Sequence, residues 1–245
     1  MKFTTLSSIA LPLVLVTAFL TGSQERPPKP EEIKGEVKAE TKGGDGGKPA
    51  ADANAAIIQF QKPCYPLTKC AVSGEPLPKD AIDTVIDGRL VRVCCKDCVA
   101  GAEKNKAAIF SEIDKAVIQS QRLGYPLKTC PMSGESLEDG AVEFVVGTRL
   151  MKACCEKCVA AVKAEPEKAI KQLNDAYVAA QKPNYPLTTC VATGEEIGKD
   201  PEMKPIDFLY GTRYYRLCCA GCKKAIVKDP EGMWAKVEAA RAAKK

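Results

Sequence analysis

The chain has no histidine among its 245 residues, and that absence removes a large share of protein site chemistry. Imidazole acid–base catalysis, Ser–His and Cys–His nucleophile pairs and mixed Cys/His metal sites are all excluded. Aromatic residues make up 6% of the chain and tryptophan occurs once, too few for a long stacking surface. A dominant charge is missing as well: 27% of residues are charged, yet the net charge is only +5. That balance is too mild to imply a nucleic-acid partner. Beyond the N-terminal region no apolar run approaches the roughly 20 residues that a membrane-spanning helix needs.

What the chain does have is cysteine, 13 residues in all. Twelve of them form three copies of one pattern, a lone Cys in Y-P-L-x-x-C-x-x-[ST]-G-E followed by a C-C-x-x-C cluster. The copies are Cys70 with Cys94, Cys95 and Cys98; Cys130 with Cys154, Cys155 and Cys158; and Cys190 with Cys218, Cys219 and Cys222. The lone cysteines recur every 60 residues, the signature of a tandem array. Units this small bury little apolar surface and need a disulfide or metal staple.

Residues 1–23 are expected to be a secretory signal peptide: Lys2 precedes the apolar run Leu6–Leu20, and Thr21, Gly22 and Ser23 offer a small-residue cleavage site. An uncleaved N-terminal anchor is the competing reading. Residues 24–51 are rich in Pro, Gly, Glu and Lys and are expected to form a disordered linker. Export, to the periplasm or outside the cell, would place the thiols in an oxidising compartment, where they persist only if buried, paired or metal-bound. After signal cleavage no membrane association is expected.

Three metal-binding units are expected over residues 52–113, 114–174 and 175–245. Each opens with a helical lead-in (Ala55–Gln61, Asp114–Arg122, Asp175–Lys182), and a Tyr-Pro-Leu follows that takes the chain out of the helix. A tight turn falls at Ser73-Gly74, Ser133-Gly134 and Thr193-Gly194. Hairpins are expected from Asp83–Ile86 with Leu90–Val93, Val142–Val146 with Arg149–Ala153, and Ile206–Tyr210 with Arg213–Leu217. A helix begins at each cysteine cluster, and Pro166 and Pro230 suit first-turn positions of a further helix. The fold class is therefore α+β: three tandem small treble-clef-like modules of knuckle, β-hairpin and helix, joined by helical linkers.

A common zinc knuckle is C-x2-C-G, completed by a second C-x2-C pair at a helix start. Here the second knuckle thiol has become the hydroxyl of Ser73, Ser133 or Thr193, and an extra thiol stands beside the second pair. The spacings C-x23-C-x3-C in units 1 and 2 and C-x27-C-x3-C in unit 3 resemble the TRASH/YHS-type cysteine-rich metal-binding modules. The segment Tyr214-Tyr215-Arg216-Leu217-Cys218-Cys219-Ala220-Gly221-Cys222-Lys223 is similar to the end of the YHS module. The resemblance runs from about Tyr65 to the C-terminus. It implies a treble-clef-like fold, a role in heavy-metal sensing, trafficking or resistance, and metal ligation by Cys70, Cys94, Cys98 and their equivalents. The extra cysteines (Cys95, Cys155, Cys219) lie outside the family's three-thiol pattern, and the Tyr-His-Ser signature is absent.

Strand alternation cuts across that ligand set. In a regular strand Val91, Val93 and Cys95 share the apolar face, and Arg92 and Cys94 the charged one; only a break at the strand–helix junction would turn Cys94 inward. All four thiols of each unit are therefore candidate ligands. Four thiolates would make a zinc site and three a Cu(I) site, with up to three ions per chain. Disulfide-stapled units and a C-x-x-C redox protein are the competing readings; the latter lacks a surrounding βαβ pattern.

Cys64 has no counterpart at Gly124 or Asn184 and is expected to be an unpaired thiol. Met132 and Trp234 are expected to pack, Arg89, Arg149 and Arg213 to be solvated, and Glu75, Glu135 and Glu195 to hydrogen-bond within the knuckle. No residue set supports an enzyme. The expected partners are metal ions and another exported protein.

Overall fold

The computed structural model describes residues 48–138 and 140–244, all within one compact unit, Asp45–Lys245. The expected signal peptide and most of the expected linker lie outside the described residues. The elements are α1 (Lys48–Gln61), β1 (Ile82–Ile86), β2 (Arg89–Val93), α2 (Asp97–Lys104), α3 (Lys106–Gln121), β3 (Val142–Val146), β4 (Arg149–Ala153), α4 (Glu156–Ala164), α5 (Pro166–Gln181), β5 (Ile206–Tyr210), β6 (Arg213–Leu217), α6 (Lys223–Lys228) and α7 (Pro230–Ala243). The protein is thus mixed helix and strand, with knuckle, hairpin and helix repeated three times. The first turn of α1 falls inside the stretch expected to be linker.

Each sheet is a two-stranded antiparallel hairpin, with Ile82 opposite Val93, Val142 opposite Ala153 and Ile206 opposite Leu217. At the first turn both central residues have positive φ, Asp87 at 48° and Gly88 at 74°, the requirement of a type I′ turn. The other two hairpin turns carry positive-φ Gly147 and Gly211, and proline sets the exits and starts of helices. Tyr65 and Tyr185, each before a proline, are extended at φ −68° and −69°, and Pro166 and Pro230 sit in the first turns of α5 and α7.

Isolated two-stranded hairpins are marginal in water, and here helices complete them. On α3 the buried residues Ile109, Ile113, Val117 and Gln121 recur at i, i+4, i+8 and i+12, so one stripe faces inward. Its apolar members belong to the core of unit 1, with Val91, Val93 and Ala102. That core also takes in Leu150 from β4, while Met151, on the opposite face of the same strand, enters the core of unit 2 with Leu173 and Tyr177 of α5. Leu209 of β5 packs against unit 2 in the same way. The helices α3 and α5 therefore do more than link: each closes one unit and opens the next.

A glutamine at the end of each lead-in helix fixes this junction. The Gln61 amide donates to Gly88 O at 2.9 Å and accepts from Leu90 N at 2.8 Å. Gln121 does the same with Thr148 O and Leu150 N, and Gln181 with Thr212 O and Tyr214 N. One side chain thus satisfies two backbone groups at each hairpin turn, which would otherwise be left unpaired on burial. The Thr148 hydroxyl donates to Gln61 O at 2.7 Å, tying unit 2 to unit 1.

Candidate metal centres

The knuckle is built by three backbone hydrogen bonds: Cys70 N to Glu75 O at 2.7 Å, Gly74 N to Cys70 O at 2.8 Å and Leu77 N to Thr68 O at 2.9 Å. Units 2 and 3 repeat them at Cys130 and Cys190. Gly74, Gly134 and Gly194 have φ of 76°, 78° and 80° with nothing within 4 Å of an added Cβ. Glycine is required there by backbone conformation and not by space. The Ser73 hydroxyl accepts from Glu75 N at 3.3 Å and lies 3.3 Å from Cys94 Sγ. Ser133 repeats both contacts at 3.3 Å, and Thr193 lies 3.7 Å from Cys218 Sγ. The hydroxyl that replaces a knuckle thiol therefore shapes the turn and hydrogen-bonds to a neighbouring thiol.

The strand–helix junction decides which adjacent cysteine turns inward. β2 ends at Val93, the chain bends through Cys94–Lys96, and α2 begins at Asp97. The break interrupts strand alternation, so Cys94 joins the cluster and Cys95 is exposed. The mutually close thiols are Cys70, Cys94 and Cys98; Cys130, Cys154 and Cys158; and Cys190, Cys218 and Cys222, with all sulfurs of a triad within 4.8 Å of one another. Cys94 and Cys98 lie 3.7 Å apart, Cys154 and Cys158 3.7 Å, and Cys218 and Cys222 3.5 Å. Thiolates about 2.3 Å from a tetrahedral metal stand ~3.8 Å from each other, so the sulfurs fit a metal ion. Each triad can hold one. Cys95, Cys155 and Cys219 stand beside a triad member, at 3.5, 3.8 and 3.8 Å from Cys98, Cys154 and Cys222.

Thiol acidity follows from the same geometry. Burial opposes ionisation of Cys70, but the Ser73 hydroxyl and the backbone N–H groups of Ser73, Cys94 and Val72 outweigh it and hold its thiol at about 6. The same balance gives about 6 for Cys130, where burial is outweighed by the Cys154 backbone and by Ser133, and about 7 for Cys190. Contact with Cys95, then burial and the sulfurs of Cys94 and Cys70, push Cys98 up to about 12. Burial and the neighbouring sulfurs likewise raise Cys222. The buried first thiol of each triad is therefore the most readily ionised, and in each unit at least one neighbouring thiol, Cys98, Cys154 or Cys222, is pushed the other way. A soft cation entering the triad would displace the remaining protons.

The units differ in cover. Cys190, Cys218 and Cys222 are all buried, whereas Cys94, Cys154 and Cys158 are half-buried. In unit 3 the knuckle glutamate reaches the cluster by hydrogen bond, with Glu195 Oε2 accepting from Cys218 Sγ at 3.6 Å and Thr193 Oγ1 at 3.4 Å. Lys96, Lys157 and Lys223 flank the clusters but are exposed.

Of the other residues singled out in the sequence, Met132 packs against the core of unit 2, and Trp234 packs in unit 3, edge-on to Tyr215 at 5.7 Å. Two of the three arginines, Arg89 and Arg149, are not solvated as expected. Arg149 is 3% exposed and donates to Gly211 O at 2.9 Å and Asn174 Oδ1 at 3.0 Å, because it crosses from one hairpin to the next. Arg89 reaches Gly147 O at 3.1 Å and Asp114 in the same way. Cys64 is half-buried under the third hairpin turn, where a Cβ on Gly211 would sit 3.0 Å from its sulfur and 2.9 Å from Pro63 O. The glutamines at the hairpin turns went unnoticed in the sequence, although their 60-residue recurrence (Gln61, Gln121, Gln181) marks them.

The site thus defines a cysteine-rich protein with three potential metal-binding triads. No protein-family model, curated protein or solved structure matches the chain.

Proposed function

We propose that this is an exported, non-enzymatic protein that binds heavy-metal ions through cysteine thiolates and serves in their trafficking or sequestration. One observation carries the reading: the same thiol triad recurs three times, with its sulfurs within 4.8 Å of one another, in the same knuckle–hairpin–helix setting. Such an arrangement is treble-clef-like and agrees with the TRASH/YHS resemblance of the sequence. The ion is thiophilic, Cu(I) or Zn(II), and a three-sulfur set favours Cu(I), because zinc sites are completed by four ligands. Export is supported by the signal-like residues 1–23. The described helices include none long and apolar enough to cross a membrane.

Metal analysis and thiol counting on protein purified from its native compartment test the reading. About three ions per chain, with triad thiols that become reactive once the metal is chelated, are expected. A metal-free protein whose triad thiols are locked in disulfides would overturn it. N-terminal sequencing of the same material should find a mature chain that begins near Gln24; an intact Met1 would favour the uncleaved anchor, and recovery in the cytoplasmic fraction would remove the export claim.

A further inference from the structure

The second cysteine of each cluster is not accounted for by the triads. Cys95 and Cys155 are exposed and Cys219 is half-buried, while the first triad member (Cys70, Cys130, Cys190) is buried in every unit. Each second cysteine nevertheless keeps its sulfur in contact with one triad sulfur: Cys98 at 3.5 Å in unit 1, Cys154 at 3.8 Å in unit 2 and Cys222 at 3.8 Å in unit 3. The thiol thus sits at the boundary between solvent and triad in three independent copies. A fourth ligand of a closed site would be expected among the mutually close sulfurs, and the second cysteine is not in that group. Nor does a disordered surface thiol explain it, since its place is set by the same strand–helix break that turns the first cysteine inward.

We infer that Cys95, Cys155 and Cys219 are transfer ligands, which carry a metal ion between the triad and an incoming thiol. The inference rests on the metal-binding reading above and adds the route by which metal enters and leaves. Thiolate-bound metals exchange without ever being free when the new sulfur binds before the old one departs. In unit 1 the Cys95 thiol would lose its proton to water and form a fourth metal–sulfur bond. The bond to Cys98 would then break and that sulfur would take up a proton. Incoming thiols would then replace the remaining triad sulfurs one at a time, and Cys95 last, each exchange forming one metal–sulfur bond, breaking one, releasing one proton and consuming one. No electron changes hands and the metal keeps its oxidation state. The exposed position of Cys95 allows both sulfurs to reach the ion at once, which the buried Cys70 does not.

The test uses the full chain loaded with Cu(I) under anaerobic conditions, and the triple variant Cys95→Ser, Cys155→Ser, Cys219→Ser prepared alongside it. Iodoacetamide treatment of the loaded chain with peptide mapping should modify these three cysteines and spare the nine triad thiols. Metal content at equilibrium should be the same in both proteins. Transfer is then followed by native mass spectrometry to two acceptors: free cysteine, a small thiol, and a metal-free isotope-labelled copy of the chain, which presents protein-borne thiols. The variant should transfer at least tenfold more slowly. Slowing to both acceptors, or to one alone, supports the inference and tells which kind of thiol uses the route. Unchanged rates to both overturn it. So does a loss of bound metal in the variant, or protection of all twelve thiols, because the second cysteine would then be a permanent ligand. A wild-type chain that takes up no Cu(I) would remove the metal-binding reading itself and is told apart by the loading step.

Discussion

In unit 1 the triad is buried at Cys70 and Cys98 and half-buried at Cys94, whereas in unit 3 all three ligand thiols are buried and the neighbouring Cys219 is half-buried. The ligand types and the knuckle are the same, so the difference comes from what surrounds them. Where unit 1 has Leu90 and Val91, unit 3 has Tyr214 and Tyr215, both 0% exposed, and Tyr215 is backed by Trp234. Of the two, Tyr215 shares the core of unit 3 with Cys190, Cys218 and Cys222, aromatic side chains cover more area than aliphatic ones, and Glu195 and Thr193 also reach Cys218. The comparison teaches that one thiol constellation can differ in cover through the residues packed around it while the thiols and the knuckle stay the same. If the triads bind metal as proposed, the more covered unit 3 should release it more slowly than units 1 and 2.

The largest effect should come from removing an anchor thiol. Cys70→Ala or Cys190→Ala is expected to lower metal content from three ions to two, with a loss at that site beyond the ~100-fold typical of supporting residues. Native mass spectrometry of each variant measures it. Next, a chelator should strip unit 3 roughly tenfold more slowly than unit 1, equivalent to ~1.4 kcal/mol of barrier. Peptide-resolved alkylation during chelation reads the order, and simultaneous release would dissolve the distinction between the units. Trp234→Ala should cost about 2 kcal/mol, below the range for fully buried aromatics, and bring unit 3 release close to that of unit 1.

A smaller pair of changes compares the hairpin arginines. Arg149→Ala should destabilise by about 2 kcal/mol, through lost packing and an unsatisfied Gly211 carbonyl. Arg213 pairs with a Glu231 side chain that is 79% exposed, and Arg213→Ala should cost no more than ~1 kcal/mol. Denaturant midpoints decide both, and equal costs would contradict the buried, bridging role of Arg149.

The units also differ in pH dependence. In the reduced, metal-free chain the folded state holds Cys70 and Cys130 at about 6 and Cys190 at about 7, against the usual 9.0. Between those values the unfolded state binds more protons, so stability rises with pH up to about 9. It is lost as pH falls through about 7 in unit 3 and about 6 in units 1 and 2. Above 9 the sign reverses, because Cys98 is held up to about 12 and the folded state keeps protons that the unfolded state releases. Melting temperatures across this range, with thiolate absorbance, would show units 1 and 2 ionising before unit 3; a single common step would not separate the units.

Much of the local structure was legible before any coordinates. The second and third hairpins match their expected bounds, and the first begins one residue earlier on each strand, at Ile82 and Arg89. Short-range chemistry sets these elements: alternating β-formers around Gly-containing turns, and proline at helix starts. The candidate ligands were legible too, as twelve cysteines in three sets. Their division into three inner thiols and one outer thiol was implied by the TRASH/YHS resemblance but opposed by strand alternation, so the sequence left it open. The choice between Cys94 and Cys95 depends on where a regular strand breaks, and adjacent residues differ only by which face they take. Arg149 was also misread, since its partners Asn174 and Gly211 lie 25 and 62 residues away in sequence.

The sequence by itself determined the array, its period, the hairpins and a sulfur-only donor set with no histidine. These are properties of neighbouring residues and of composition, which act at short range. The tertiary structure chose between the competing readings by leaving Cys95, Cys155 and Cys219 outside the triads, and it alone decided that helices α3 and α5 are shared between units and that all three triad thiols of unit 3 are buried. Each of those depends on which surfaces meet when hairpins and helices pack, and burial is a property of contacts between segments far apart in the chain.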